Sequence, residues 1–388
     1  MVEPVPEPVP EHVRPARRTL SAQLPDFPWD SLREAKATAT AYPGGIVNLS
    51  VGTPVDEVAP SIQLALSLNA AEPGYPQTTG TPELRDAVVE ALARRFGVTG
   101  VQPEQVLPVI GTKEAIAWMP LVLGVTPGQT VVIPELAYPT YEVGAKLAGA
   151  RVLRSDSLLR IGPESPAMIF INSPANPHGR VLGVGHLRKV VEFARERGVI
   201  VVSDECYLGL GWNTDPEDAP VSVLDPRVCD GDFTGLVAVH SLSKTSNMAS
   251  YRSGFLVGDT DLIAEALAVR RNAGLMMPGP IQAATVAALK DDGQELLQKE
   301  RYRRRREILA AAVRDAGMRI DNSEGGLYLW ATEGRPCRET VDRLAALGIL
   351  VAPGDFYGPT GEQHVRIGLT ADDSSIAEAA ARLRTLAG

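Results

Sequence analysis

Between residues 80 and 260, short apolar runs at 131–133, 168–171, 199–202 and 236–239 are separated by helical stretches at 82–96, 113–123, 141–148 and 185–197. The runs lack the alternation of a half-exposed strand, so each suits a strand buried on both faces. Helices between such strands supply the crossovers of a mainly parallel sheet. The region is therefore expected to be an α/β/α domain whose binding groups lie beyond the carboxyl ends of its strands.

The last third reads differently. Helices at 262–271, 281–289 and 295–316 precede short strands at 327–330, 349–351 and 364–369, and an amphipathic helix at 374–386 closes the chain. This predicts a smaller α+β domain completed by an N-terminal stretch. The expected division is a proline-rich tail over 1–20, a small domain over 21–55 and 285–388, and a large domain over 56–284. Pro4, Pro6, Pro8, Pro10 and Pro15 favour polyproline II or disorder in the tail.

Composition removes several function classes. A chain of 388 residues, 44% hydrophobic, is ample for such cores. Its net charge of −9 argues against a sequence-independent grip on nucleic acid or anionic membrane. The one basic run, at 301–306, lies in a helical stretch and is expected to be a solvated face. No stretch approaches the roughly 20 apolar residues of a membrane span, and the N-terminus lacks the apolar core of a signal peptide. Cys206, Cys229 and Cys337 show no C-x-x-C spacing, which points to a reducing, cytoplasmic setting. The five histidines form no H-x-x-x-H pair, so no metal is expected.

The chemistry lies in the residues that succeed each apolar run. The first run leads into Pro134-Glu135-Leu136-Ala137-Tyr138, the second into Asn172-Ser173-Pro174-Ala175-Asn176-Pro177. The third leads into Ser203-Asp204-Glu205-Cys206-Tyr207 and the fourth into His240-Ser241-Leu242-Ser243-Lys244. Parallel neighbours would thus bring an aromatic, an amide, a carboxylate with a phenol, and a lysine beside hydroxyls to one crevice. Ser241-x-x-Lys244 also fits the S-x-x-K of serine β-lactamases, but the S-D-N and K-T-G partners of that site do not occur. Neither a Walker phosphate loop nor a strand-linked G-x-G-x-x-G is present.

The combined order resembles the class I/II aminotransferases of pyridoxal 5′-phosphate (PLP) fold type I, from about residue 24 to the end. The matching pieces are Gly52-Thr53-Pro54, Tyr75 with Gly80 and Leu84-Arg85, Gly111-Thr112-Lys113-Glu114-Ala115, Tyr138-Pro139-x-Tyr141 and Asn172-x-Pro174-x-Asn176-Pro177. Asp204-Glu205-x-Tyr207, Ser241-Leu242-Ser243-Lys244, Tyr251-Arg252-x-Gly254 and Val365-Arg366-Ile367 complete them.

The resemblance implies a role for each position. Lys244 would be the Schiff-base lysine and proton shuttle, and Asp204 the partner of the pyridinium nitrogen. Tyr207 and Asn176 would hydrogen-bond the 3-oxygen, and Tyr138 would stack on the ring. Thr112, Lys113, Ser241, Ser243 and Arg252 would hold the phosphate, with Tyr75 reaching it from the partner of a homodimer. Arg366 would fork onto the substrate α-carboxylate, with Asn176 and the backbone near Gly52 assisting. In a strand, Arg366 faces away from Val365, Ile367 and Leu369, so it points to solvent or to the cleft.

Further stretches, among them Pro25-Asp26-Phe27-Pro28-Trp29 and Ala352-Pro353-Gly354-Asp355-Phe356-Tyr357, resemble the succinyldiaminopimelate aminotransferases. That resemblance implies transfer of the amino group of glutamate to N-succinyl-2-amino-6-oxopimelate, giving N-succinyldiaminopimelate and 2-oxoglutarate. Another amino acid substrate, or a PLP-dependent C–S lyase on the same fold, is the alternative. A PLP-binding regulator would need a DNA-binding domain that the short proline-rich N-terminus cannot form.

Overall fold

A computed structural model describes residues 19–163, 165–213 and 215–387. The expected disorder of the proline-rich segment falls on residues outside this range for all but the last two positions of 1–20. Among the described residues, no helix is long and apolar enough to cross a membrane.

A seven-stranded sheet organises the larger unit. Its spatial order is Val106–Val109, Gly254–Gly258, Leu236–Ser241, Ile200–Asp204, Met168–Asn172, Thr130–Ile133 and Arg151–Arg154. All pairings are parallel except those of Gly254–Gly258, which runs antiparallel to both neighbours. The side-chain period of two sends Val132, Ile169, Ile171, Val201 and Ala238 into one core and Val131, Ile133, Phe170, Val202 and Val239 into the other. Helices Pro82–Phe96, Val184–Arg197 and Gly279–Lys290 cover the first face, and Thr112–Val122, Thr140–Leu147 and Thr260–Ala273 the second.

A third core builds the smaller unit. Four antiparallel strands, in the order Ala352–Pro353, His364–Gly368, Tyr328–Thr332 and Arg319–Asp321, pack against helices Asp292–Asp315, Cys337–Ala345 and Asp373–Arg384. The N-terminal helix Arg33–Thr40 adds Ala35 and Ala39 to that core. Two expectations need correction. The boundary at 284 falls inside helix Gly279–Lys290, whose Ala284, Ala288 and Leu289 pack in the large-unit core. The basic run is also not wholly a solvated face. Arg305 is buried and forks onto Asp56 at 2.7 Å through each of two nitrogens, with Asp373 at 2.6 Å, because its helix crosses the junction of the two units there.

Candidate active site

The parallel register sets Asn172 beside Asp204, and Asp204 beside Val239, at one end of the sheet. Asp204 is buried. Its Oδ2 accepts from the Tyr141 hydroxyl at 2.7 Å and its Oδ1 from the Cys206 N–H at 3.2 Å. Neither donor is a cation, and burial pushes this carboxyl above the usual carboxylate range. Asn172 braces the same rim. Its amide nitrogen donates to the carbonyls of Asp204 at 2.8 Å and Pro174 at 3.2 Å, and its Oδ1 accepts the Asn176 N–H at 2.7 Å.

Lys244 lies just past the end of strand Leu236–Ser241. Its ammonium donates to the Gly52 carbonyl, and the Tyr302 hydroxyl donates to its own carbonyl at 3.2 Å. Burial lowers its pKa, outweighing the pull of the Tyr328 phenol. An amine bonded to a carbonyl rather than a carboxylate lies closer to its nucleophilic, neutral form.

A basic corner adjoins the lysine. Helix Thr112–Val122 starts after Gly111, whose φ is +90°. A Cβ at Gly111 would fall 2.1 Å from Nη2 of Arg252, so the glycine lets that guanidinium lie against the helix start. The Cys206 thiol contacts the Thr112 hydroxyl at 3.4 Å. Ser241 and Ser243 are buried, the Ser243 N–H donating to Ser241 Oγ at 3.1 Å. Tyr138 meets Tyr141 edge-on at 5.8 Å, and burial pushes its phenol up to about 12.

The opposite wall comes from the smaller unit. Arg366 is 2% exposed and therefore does not face solvent. It donates through Nη1 to Asn176 Oδ1 at 2.9 Å and through Nη2 to the Ser50 carbonyl at 2.6 Å. Its Nε has no hydrogen-bond partner among the described residues. Its guanidinium carbon lies 3.9 Å from the centre of the Tyr328 ring and 5.1 Å from that of Tyr357. The Tyr328 hydroxyl is 3.2 Å from that of Tyr207.

Contacts join many of the sequence-derived positions at this end of the sheet: Lys244 with Gly52, Thr112 with Cys206 beside Asp204, Arg252 with Gly111, and Arg366 with Asn176, while Tyr207 meets Tyr328, Ser241 meets Ser243 and Tyr138 meets Tyr141. Two stand apart. Lys113 is exposed, with its ammonium 5.6 Å from the Phe27 ring centre, and Tyr75 is 98% exposed. Sequence reading assigned no role to Tyr141, Asn172 or Tyr328. The first two lay inside recognisable motifs, but Tyr328 carried no local signal.

This donor set fits PLP. A buried carboxylate without a cation suits a protonated ring nitrogen, the helix start with Arg252 suits a phosphate, and the desolvated amine of Lys244 suits an aldehyde. The fold and cleft define a fold type I PLP enzyme.

Residues 45–383 match the family Aminotransferase class I and II. The chain is 63% identical over 369 residues to a probable aminotransferase of Mycobacterium tuberculosis, covering 95% of this chain and 87% of that one. It is 54% identical to the 4-dedimethylamino-4-oxo-anhydrotetracycline transaminase OxyQ of Streptomyces rimosus, covering 93% and 99%. The structure of a probable N-succinyldiaminopimelate aminotransferase from Thermus thermophilus superposes with a TM-score of 0.82 at 27% identity, covering 93% and 100%. The chain belongs to the class I and II aminotransferases and is a PLP-dependent transaminase.

Proposed function

We propose that this enzyme moves the amino group of glutamate to N-succinyl-2-amino-6-oxopimelate, releasing 2-oxoglutarate and N-succinyldiaminopimelate. The observation that carries the reading is Arg366, a buried, partly unsatisfied guanidinium across the cleft from Lys244. The similarity to the Thermus thermophilus structure supports this choice of acceptor.

Bound PLP supplies the electron sink and carries the amino group between half-reactions. The residues of this chain do the rest. Lys244 would anchor the cofactor, and once displaced its amine would move the proton at the substrate α-carbon. Asp204 would hold the proton on the ring nitrogen, and Tyr207 and Asn176 would bond the 3-oxygen. Thr112, Ser241, Ser243 and Arg252 would bind the phosphate, joined by Tyr75 of the partner in a homodimer. Arg366 would orient the α-carboxylate, so that the bond to be broken stands across the ring.

A second reading rests on the 54% identity to OxyQ, whose named substrate is a polycyclic ketone. Tyr328, Tyr357 and Trp29 around Arg366 would suit a flat aromatic acceptor. The holoenzyme loaded by L-glutamate decides between them. Loss of its yellow band with glutamate establishes the donor, and the acceptor that restores the band identifies the second substrate. Restoration by the succinylated oxo acid, lost in Arg366→Lys, supports the first reading. Restoration by the polycyclic ketone alone overturns it. Pyruvate released from cystathionine without an added oxo acid would mark the lyase instead.

A further inference from the structure

We propose that Tyr328 is a positioning residue that ties the carboxylate clamp to the cofactor-facing phenol, through its ring face on Arg366 and its hydroxyl on Tyr207. The inference rests on the site roles just given to Arg366 and Tyr207.

The geometry is specific. Tyr328 opens strand Tyr328–Thr332 of the smaller unit and is 4% exposed. Arg366 lies in the adjacent strand, and its guanidinium carbon is 3.9 Å from the Tyr328 ring centre. On its other side Tyr328 reaches Tyr207, 121 residues away in the chain, at 3.2 Å between hydroxyl oxygens. The two rings meet edge-on at 6.0 Å and 75°.

Gly52 makes room for this. A Cβ there would lie 2.0 Å from the Tyr328 hydroxyl oxygen. The carbonyl of the same glycine takes the hydrogen bond from Lys244. One close backbone approach therefore places the clamp arginine, the lysine and both phenols around a single side chain.

Charged groups face Tyr328 from both units. They are the Arg366 and Lys244 cations, with Tyr207 and Cys206 beside them. Burial pushes Tyr328 up, but Arg366, Lys244 and the bond to Tyr207 outweigh it and hold this phenol below its ordinary value. Burial and the Tyr328 neighbour push Tyr207 well above. In the proposed site, a Tyr328 O–H donated to the Tyr207 oxygen would leave the Tyr207 O–H for the 3-oxygen of the cofactor, and two donors in series strengthen each other.

The first test uses apoprotein titrated with PLP and followed by tryptophan fluorescence. Tyr207→Phe and Tyr328→Phe should each weaken binding about 3- to 10-fold, the worth of one buried hydrogen bond. The double variant should bind no more weakly than Tyr207→Phe alone, within about twofold, because Tyr328 acts through Tyr207. Steady-state kinetics of the holoenzyme test the other face. Tyr328→Phe keeps the ring and should leave the KM for the amino donor within about twofold, whereas Tyr328→Leu should raise it about tenfold by removing the cation–π platform.

Wild-type protein that binds PLP but ignores glutamate would overturn the proposed reaction, and the binding cycle would still decide the link to Tyr207. Additive losses in the binding cycle, or equal KM values for the phenylalanine and leucine variants, would overturn the positioning role.

Discussion

Asp204 and Glu205 are neighbouring buried carboxylates that point to opposite sides of one strand end, and desolvation raises the pKa of both. Asp204 accepts from Tyr141 Oη and Cys206 N–H. Glu205 faces away, where its Oε1 accepts from Val223 N–H at 2.7 Å and Ser203 Oγ at 2.9 Å. Its Oε2 lies 3.4 Å from His240 Nε2, an imidazole held between Phe96 and Phe255. Burial brings Glu205 up to about 7 and His240 down to about 3. A raised carboxyl stabilises the fold below its unfolded pKa, and that stability is lost as pH rises through the folded value. Apoprotein stability should therefore fall from about pH 4.5 upward through pH 7 on account of Glu205. A depressed histidine acts in the other direction, costing stability as pH drops from about 6.5 toward 3. Urea unfolding of apoprotein at pH 5 and pH 8 checks the first effect. Glu205→Gln should reduce the loss between the two, and an unchanged loss would refute the assignment. Asp204→Asn separates stability from function in the same way. The Asn apoprotein should melt no lower than wild type at pH 8, because the uncompensated buried charge is gone. Its transamination rate should fall about 10²–10³-fold with the loss of an electrostatic stabiliser.

At the scale of the element, the start of helix Thr112–Val122 depends on one backbone position. Gly111→Ala would combine a positive φ with a Cβ 2.1 Å from the Arg252 guanidinium. Strain of this kind costs about 1–3 kcal/mol. Displacing Arg252 should also weaken PLP binding about tenfold or more if it makes the proposed charge-assisted phosphate contact. Gly124→Ala, just past the end of the same helix, is the control. Its φ is +79° with nothing within 4 Å of an added Cβ, so it should lower Tm and leave PLP affinity unchanged. The central strands were legible in the sequence because strands buried on both faces must be apolar throughout. Gly254–Gly258 escaped because glycines bracket its apolar core, and Val106–Val109 because Pro108 interrupts it. Arg151–Arg154 is an edge strand with arginine at each end and shows no apolar run. The site divides along the same line. Lys244, Asp204 and Asn176 were legible as candidates because each lies at or just past the end of a readable strand. Tyr328 was not, since its position is set by the approach of Gly52 and Tyr207 from elsewhere in the chain.

The proposed site draws on two units, with Lys244, Asp204 and Thr112 following strands or starting a helix of the larger sheet and Tyr328 and Arg366 in adjacent strands of the smaller. Buried links such as Arg305 with Asp56, and Arg366 with Asn176, tie the two units together. One proposed phosphate contact stands outside that site. Tyr75 is 98% exposed, while Leu64 and Leu68 on helix Pro60–Leu68 are exposed as well. An aromatic residue standing in water, on a chain that also exposes leucines, fits a position that a second subunit covers. If Tyr75 serves the neighbouring phosphate in a two-fold dimer, a defect at Tyr75 and a defect at Lys244 strike different sites. Each single variant should be poor at limiting PLP: Lys244→Ala because it cannot anchor the cofactor, Tyr75→Ala because it loses a phosphate contact. Mixing the two after reversible dissociation gives mixed dimers in which one site carries both defects and the other carries none. With random pairing, half the dimers are mixed and one of their two sites is intact, so roughly a quarter of wild-type activity should return. Activity of the mixture that stays at the mean of the separate variants would show that Tyr75 acts within its own subunit or not at all. Sedimentation of the same samples provides the parallel check, because the recovered activity should track the dimer fraction on dilution.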